Sequence, residues 1–186
     1  MEADFQRRKR LAIKAFKTLE KFITNKKSST KNKIRRFDCF ISSIFLYNTE
    51  LWAPTKRVTE KINILHRSFL RKIMNKKWND KIPNKDLYMM TNRIPWSNVI
   101  RERRIKFLGH ILRQQEPTPA RQALKEMMKP IKRKIGRPKQ TWWALVKKEL
   151  ESCDINVDIK WLTSIAQNRK EWIKLARRVM STFRDV

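Results

Sequence analysis

The sequence predicts an all-α protein, and three observations predict it. Glycine occurs only twice, at Gly109 and Gly136, whereas tight hairpins and multi-stranded β architectures spend far more of it on turns. Apolar residues recur at intervals of three and four, the spacing of one helix face, and do not alternate as along a half-buried strand. Prolines stand between these periodic runs, where they stop one helix or open the next. The expected architecture is a helical bundle of roughly seven to nine helices, with a basic linker before a small C-terminal helical part.

In the first helix Ala12, Phe16, Leu19 and Ile23 share one face, and Arg7, Arg10, Lys14, Lys17 and Lys21 fall opposite. Residues 26–33 (KKSSTKNK) are a polar break. A second helix carries Ile34, Phe37, Ile41, Ile44 and Phe45 on one face, with Cys39 as a small packing residue within it. The turn over residues 47–54 ends it, because Pro54 biases Ala53 away from helix. Thr55 can cap a third helix over Val58, Ile62, Leu65, Phe69 and Ile73. Pro83-Asn84 opens a short helix over Leu87 and Met90. Pro95-Trp96-Ser97 introduces one over 98–113, which Pro117 and Pro119 stop, and a short helix over 123–128 follows. Residues 129–139 (KPIKRKIGRPK) combine two prolines and a glycine with Lys and Arg, the composition of a flexible basic linker. Beyond it come a helix over Trp142, Val146 and Leu150, a turn at Cys153-Asp154, and a last helix over Trp172, Leu175, Ala176, Val179 and Phe183. No repeat of fixed period is present.

The charge balance names the partner class. With 46 Lys and Arg against 17 Asp and Glu, the 186-residue chain carries a formal charge of +29. Such a charge repels itself in the compact state and is offset by a polyanion. Nucleic acid fits best, since each neutralised phosphate releases a condensed counterion. An anionic membrane fits less well, because the bases run through nearly the whole chain instead of gathering beside a hydrophobic anchor. At 40% hydrophobic residues the chain has enough apolar content to fold. No apolar run approaches a membrane span, and the start of the sequence lacks the uninterrupted apolar core of a secretory signal. Cys39 and Cys153 cannot form a disulfide framework, so a nuclear or cytoplasmic, reducing setting is expected, with no secretion.

Catalytic chemistry is not expected. Polymerases and many nucleases hold two metal ions with clustered carboxylates, and this sequence has no Asp-Asp pair. Asp154 and Asp158 could share a helix face, but Asp154 reads better as a cap. Two glycines cannot build a phosphate-cradling loop. Cys39, His66, His110 and Cys153 lack finger-like spacing for zinc, and neither cysteine has a base beside it in sequence. No catalytic residue, metal, cofactor or small-molecule substrate is therefore expected.

What does recur is a basic stripe opposite an apolar one. On the helix over 98–113, Ile100, Ile105, Leu108, Ile111 and Leu112 lie on one side, and Arg103, Lys106, His110 and Arg113 on the other. Arg104 is the misfit: it points into the apolar side, so it either pairs with a carboxylate of another helix or marks a groove. The seven tryptophans read mainly as core; Trp78, among Asn and Lys, is the candidate for base stacking. In the linker, Lys132, Arg133, Lys134, Arg137 and Lys139 are expected to touch phosphate. Gly136-Arg137-Pro138 is similar to the heart of an AT-hook, but Ile135 stands where a full hook has Arg, which favours plain backbone contact.

Five motifs then occur in order. They are Tyr47-x-x-Glu50-x-Trp52, Phe69-Leu70-Arg71-Lys72-Ile73, the run from Arg103 to Arg113 containing Phe107-Leu108-Gly109-His110, Gly136-Arg137-Pro138-x-x-x-Trp142, and Asn168-Arg169-x-x-Trp172. This series resembles the C-terminal region of the endonuclease–reverse transcriptases of LINE-type (non-LTR) retrotransposons, over nearly the whole chain. Asn48 stands where that family usually has Gly, and Asn168 where Asp is common. The resemblance implies that the chain lies after the polymerase palm, with no counterpart of the catalytic aspartates or of the endonuclease. It further implies a thumb-like helical bundle over 1–76, a middle helical segment over 77–128, the linker over 129–139 and a tryptophan-rich helical segment over 140–186. The expected function is non-catalytic gripping of template–primer duplex, RNA–DNA or DNA, beside the palm of a parent protein. The alternative is a stand-alone DNA- or RNA-binding module, host-retained or chaperone-like, with no polymerase partner.

Overall fold

The computed structural model describes residues 1–115, 117–129 and 140–182, and at Trp78 the backbone alone. The linker bases Lys132, Arg133, Lys134, Arg137 and Lys139, the Gly136-Arg137-Pro138 motif, the side chain of Trp78 and Phe183 lie outside the described residues. Among the described residues the fold is all-helical, with no strand. The helices are α1 (Glu2–Ile23), α2 (Thr30–Phe37), α3 (Ser43–Leu46), α4 (Lys56–Ile73), α5 (Asn84–Thr91), α6 (Trp96–Arg113), α7 (Pro119–Met128), α8 (Trp142–Glu151), α9 (Ile159–Gln167) and α10 (Arg169–Thr182). They form two compact units: residues 1–49 with 56–97, and residues 50–55 with 98–186.

In the first unit α1 packs against α2, α3 and α4. Phe5, Ala12, Phe16 and Ile23 form the buried face of α1, and Val58, Ile62, Leu65, Phe69, Leu70 and Ile73 that of α4, each at the spacing its helix requires. Phe16 stacks on Phe69 at 4.9 Å. Trp96 stacks on Phe45 at 4.4 Å and on His66 at 4.6 Å.

One turn departs from the expected pattern. Between α2 and α3, residues Asp38–Ser42 form a π-helical turn. Its extra residue delays the apolar face by one position. Phe45 and Leu46 are therefore buried, and Ile44, expected in the core, is exposed. Cys39, also expected to pack, is exposed on the same turn. Asn48 has φ 55°, the left-handed conformation that the turn after α3 demands, and asparagine supplies it as a glycine would.

The second unit is centred on α6, α8, α9 and α10, with Ile105, Leu108, Leu112, Val146, Leu150, Leu162, Ala166, Ala176 and Val179 at its core. Asp158, not Asp154, caps α9, accepting from the amides of Lys160 and Trp161 at 3.4 and 3.2 Å. Asp154 instead occupies the turn after α8 with φ 53°. Asn168 keeps a cap at the head of α10, its Oδ1 accepting from the amides of Lys170 and Glu171. Trp52, Trp142 and Trp172 are buried in this unit and Trp96 in the first, while Trp143 and Trp161 are half-buried. The tryptophans are mainly core.

Candidate nucleic-acid interface

The α1 stripe is what a polyanion would meet on the first unit. Arg7, Arg10, Lys14, Lys17 and Lys21 are all exposed, and they lie opposite the face that buries Phe5, Ala12, Phe16 and Ile23. None of the five side chains has an ion pair or a hydrogen bond among the described residues. The acids of the same helix are taken elsewhere: Asp4 pairs with Arg8 at 3.1 Å and Glu2 with Lys61 at 2.7 Å. From Arg7 to Lys21 the stripe runs ~21 Å, one cation every ~5 Å of helix. A duplex offers one phosphate per ~3.4 Å of axis on each strand. Cations and phosphates therefore recur on a similar scale.

At the N-terminal end of the stripe the first unit carries a groove of about 430 Å³, lined by Asp4, Arg7, Arg8, Leu11, Ser43, Ile44 and Tyr47. Tyr47 is 72% exposed, the highest value among the large exposed hydrophobics. Arg8 donates to the Tyr47 carbonyl and holds its guanidinium 5.7 Å from the ring centroid. From the sequence Tyr47 reads as a turn residue and as the first residue of a motif, with no role of its own assigned to its ring. Its position directly after the apolar run of α3 and just before left-handed Asn48 was the available sign that the ring would stand proud.

On α6 the expected stripe is less available. Arg103, Lys106 and His110 are exposed. Lys106, however, pairs with Glu102 at 2.6 Å, and the His110 imidazole contacts the Gln114 amide at 3.2 Å. Arg113 is half-buried and donates to the Ala166 carbonyl near the end of α9 at 3.0 Å. Desolvation first, and the nearby Arg169 guanidinium second, hold the Arg113 pKa below its ordinary value. An arginine so placed is closing the last turn of a helix.

The misfit Arg104 resolves as an ion pair. Its side chain is 2% exposed; it donates to Glu149 Oε1 of α8 at 2.5 Å and, through Nε, to the Trp52 carbonyl at 3.2 Å. Arg101 reaches the same Glu149 oxygen at 3.2 Å. Both guanidiniums are thus engaged by one buried carboxylate inside the protein.

Described residues of four of the five motifs meet in this unit: Glu50 and Trp52, the α6 run, Trp142, and Trp172. Trp142 donates its indole N–H to the Glu50 carbonyl at 2.8 Å. The Trp172 indole donates to the Ile105 carbonyl at 2.9 Å and lies directly over Gly109, where a Cβ would stand 2.1 Å from its Nε1. Here the motif residues are packing and hydrogen-bonding partners of one another.

Among the described residues, no three His, Cys, Asp or Glu side chains gather as a metal site would require. Cys39 is exposed, whereas His66 and Cys153 are buried. Nor is any described helix long and apolar enough to cross a membrane.

No protein-family model matches the chain, and no solved structure matches it. Over 181 residues, 94% of its length, the chain is 25% identical to a Caenorhabditis elegans protein described as a putative uncharacterized transposon-derived protein. It spans 64% of that protein's length. The chain is thus similar to a protein derived from a transposable element.

Proposed function

We propose that this chain is a non-catalytic nucleic-acid-binding part of a retroelement protein, corresponding to the C-terminal region of a LINE-type reverse transcriptase, and that it grips duplex through basic helix faces. The observation that carries the reading is the α1 stripe, five exposed cations without an ion-pair partner among the described residues. A structural role for these side chains would have drawn carboxylates to them, as it has to Arg8, Arg101 and Arg104. The transposon-derived relative supports the retroelement side of the proposal, and the order of the five motifs supports its finer placement. Binding of this kind is set by phosphate charge and not by base sequence.

The test is titration of the purified chain onto a DNA duplex and an RNA–DNA hybrid of equal length across a range of salt. Affinity for both is expected to fall steeply and linearly on log–log axes, with little dependence on base sequence. The same preparation is expected to incorporate no dNTP into a primer and to cut neither strand when Mg²⁺ or Mn²⁺ is supplied. Affinity independent of salt contradicts the binding mode, and metal-dependent incorporation that survives rigorous purification contradicts the absence of catalysis.

A further inference from the structure

We infer that the groove between the first turns of α1 and the α3–Asn48 turn binds one unpaired nucleotide, its base stacked on the Tyr47 ring and its phosphate on Arg7. The inference rests on the proposed nucleic-acid-binding function and gives the α1 stripe a defined end. Three features of the groove fit this occupant. Tyr47 is 72% exposed yet held in place from behind, because Arg8 grips its carbonyl and lies 5.7 Å from the ring centroid. Arg8 is itself fixed by Asp4 at 3.1 Å, so it serves as a wall and its charge is matched. Leu11 and Ile44, both exposed on the same groove, offer apolar edges to a flat ring. Arg7 lines the groove without an ion-pair partner among the described residues and begins the phosphate-facing stripe. A volume of about 430 Å³ accommodates one base with its sugar, and not a duplex. Charge complementarity favours a phosphate-bearing ligand over an apolar protein segment, since a protein occupant would leave Arg7 covered and unpaired.

Stacking of a base on an aromatic side chain is independent of salt and tolerant of base identity. It is therefore separable from the phosphate contacts. The probe is a DNA duplex with a short single-stranded extension, compared with the same duplex whose extension is abasic. Both carry identical phosphates. The wild-type chain is expected to bind the extension with bases about tenfold more tightly, the scale of one stacked base. Tyr47→Ala is expected to erase that ratio and leave the salt slope unchanged, whereas Tyr47→Phe retains it. Equal affinity of the wild type for the two extensions overturns the inference, as does a ratio that survives Tyr47→Ala. An apolar protein partner at this groove predicts equal affinities and is excluded by the tenfold ratio. Failure of the underlying reading looks different: neither duplex binds in a salt-dependent way.

Discussion

Gly109→Ala is expected to destabilise the second unit by about 3 kcal/mol. At an unobstructed helix position the same change stabilises by about 1 kcal/mol, because alanine loses less backbone freedom than glycine. Gly109 is not unobstructed. An added Cβ would stand 2.1 Å from Trp172 Nε1 and 2.4 Å from its Cδ1, and Trp172 is among the largest fully buried side chains. The indole must retreat, which costs roughly 1–3 kcal/mol of overpacking. It also gives up the hydrogen bond to the Ile105 carbonyl, and a buried donor left without an acceptor costs about 1–3 kcal/mol more. Thermal and urea denaturation of the variant checks the sign as well as the size. Adding Trp172→Phe should reduce the penalty of Gly109→Ala, since the smaller ring vacates the space and carries no donor. Stabilisation by Gly109→Ala would show that the two residues do not meet.

A second large effect is expected from acid. His66 is 1% exposed and stacked among Phe37 and Trp96, and its Nδ1 has no hydrogen-bond partner among the described residues. Burial above all, with Arg93 and Arg67 as further causes, lowers its pKa to about 3. The unfolded chain's imidazole takes up its proton near pH ~6.5. Between these values the unfolded state binds a proton that the native state refuses, so stability falls as pH falls. The contribution is complete above the unfolded pKa and is lost progressively toward the folded one. By pH 4 the loss amounts to about 3 kcal/mol, at ~1.4 kcal/mol for each pH unit below ~6.5. Urea melts at successive pH values should show this slope, and His66→Phe should flatten it over the same window. A wild-type stability that is level from pH 7 to pH 4 would contradict a neutral, desolvated imidazole.

Much of the fold was legible because amphipathic periodicity is a direct consequence of helix geometry. On α1 the spacing picks out Ala12, Phe16 and Ile23, while Leu19 is half-buried and Phe5 joins the face; on α4 all five expected residues are buried. The departures come from features that spacing does not encode. A π-helical turn shifts the register after Phe37, so Ile44 faces outward; Cys39, two residues after buried Phe37, lies on the opposite side of the helix. Nothing in Asp38-Cys39-Phe40-Ile41-Ser42 announces a wider turn. Asp158 rather than Asp154 caps α9, because the choice between them depends on where the chain leaves the left-handed turn at Asp154.

The candidate interface was legible to a different degree on each helix. On α1 the charges were read correctly as a continuous exposed face. On α6 the sequence shows the same pattern, yet Arg113 serves the end of α9 and Lys106 serves Glu102. A helical wheel reports direction, and it cannot report that a neighbouring helix end lies within reach. Arg104 was recognisable as anomalous from the wheel alone, but its partner Glu149 is 45 residues away in sequence.

The central claim is that the α1 stripe binds phosphate. The measurement that tests it most directly is the salt slope of duplex binding for a variant with Arg7, Arg10, Lys14, Lys17 and Lys21 replaced by Gln, beside one with Arg103, Lys106 and Arg113 replaced. Each phosphate contact contributes a slope of about −0.9 on B-DNA, so removing all five cations of α1 should make it shallower by about 4.5. The α6 replacement should change it by much less, since Lys106 and Arg113 already have intramolecular partners. An α1 variant that melts at the wild-type temperature and keeps the wild-type slope would show that its stripe faces only water, and would contradict the account.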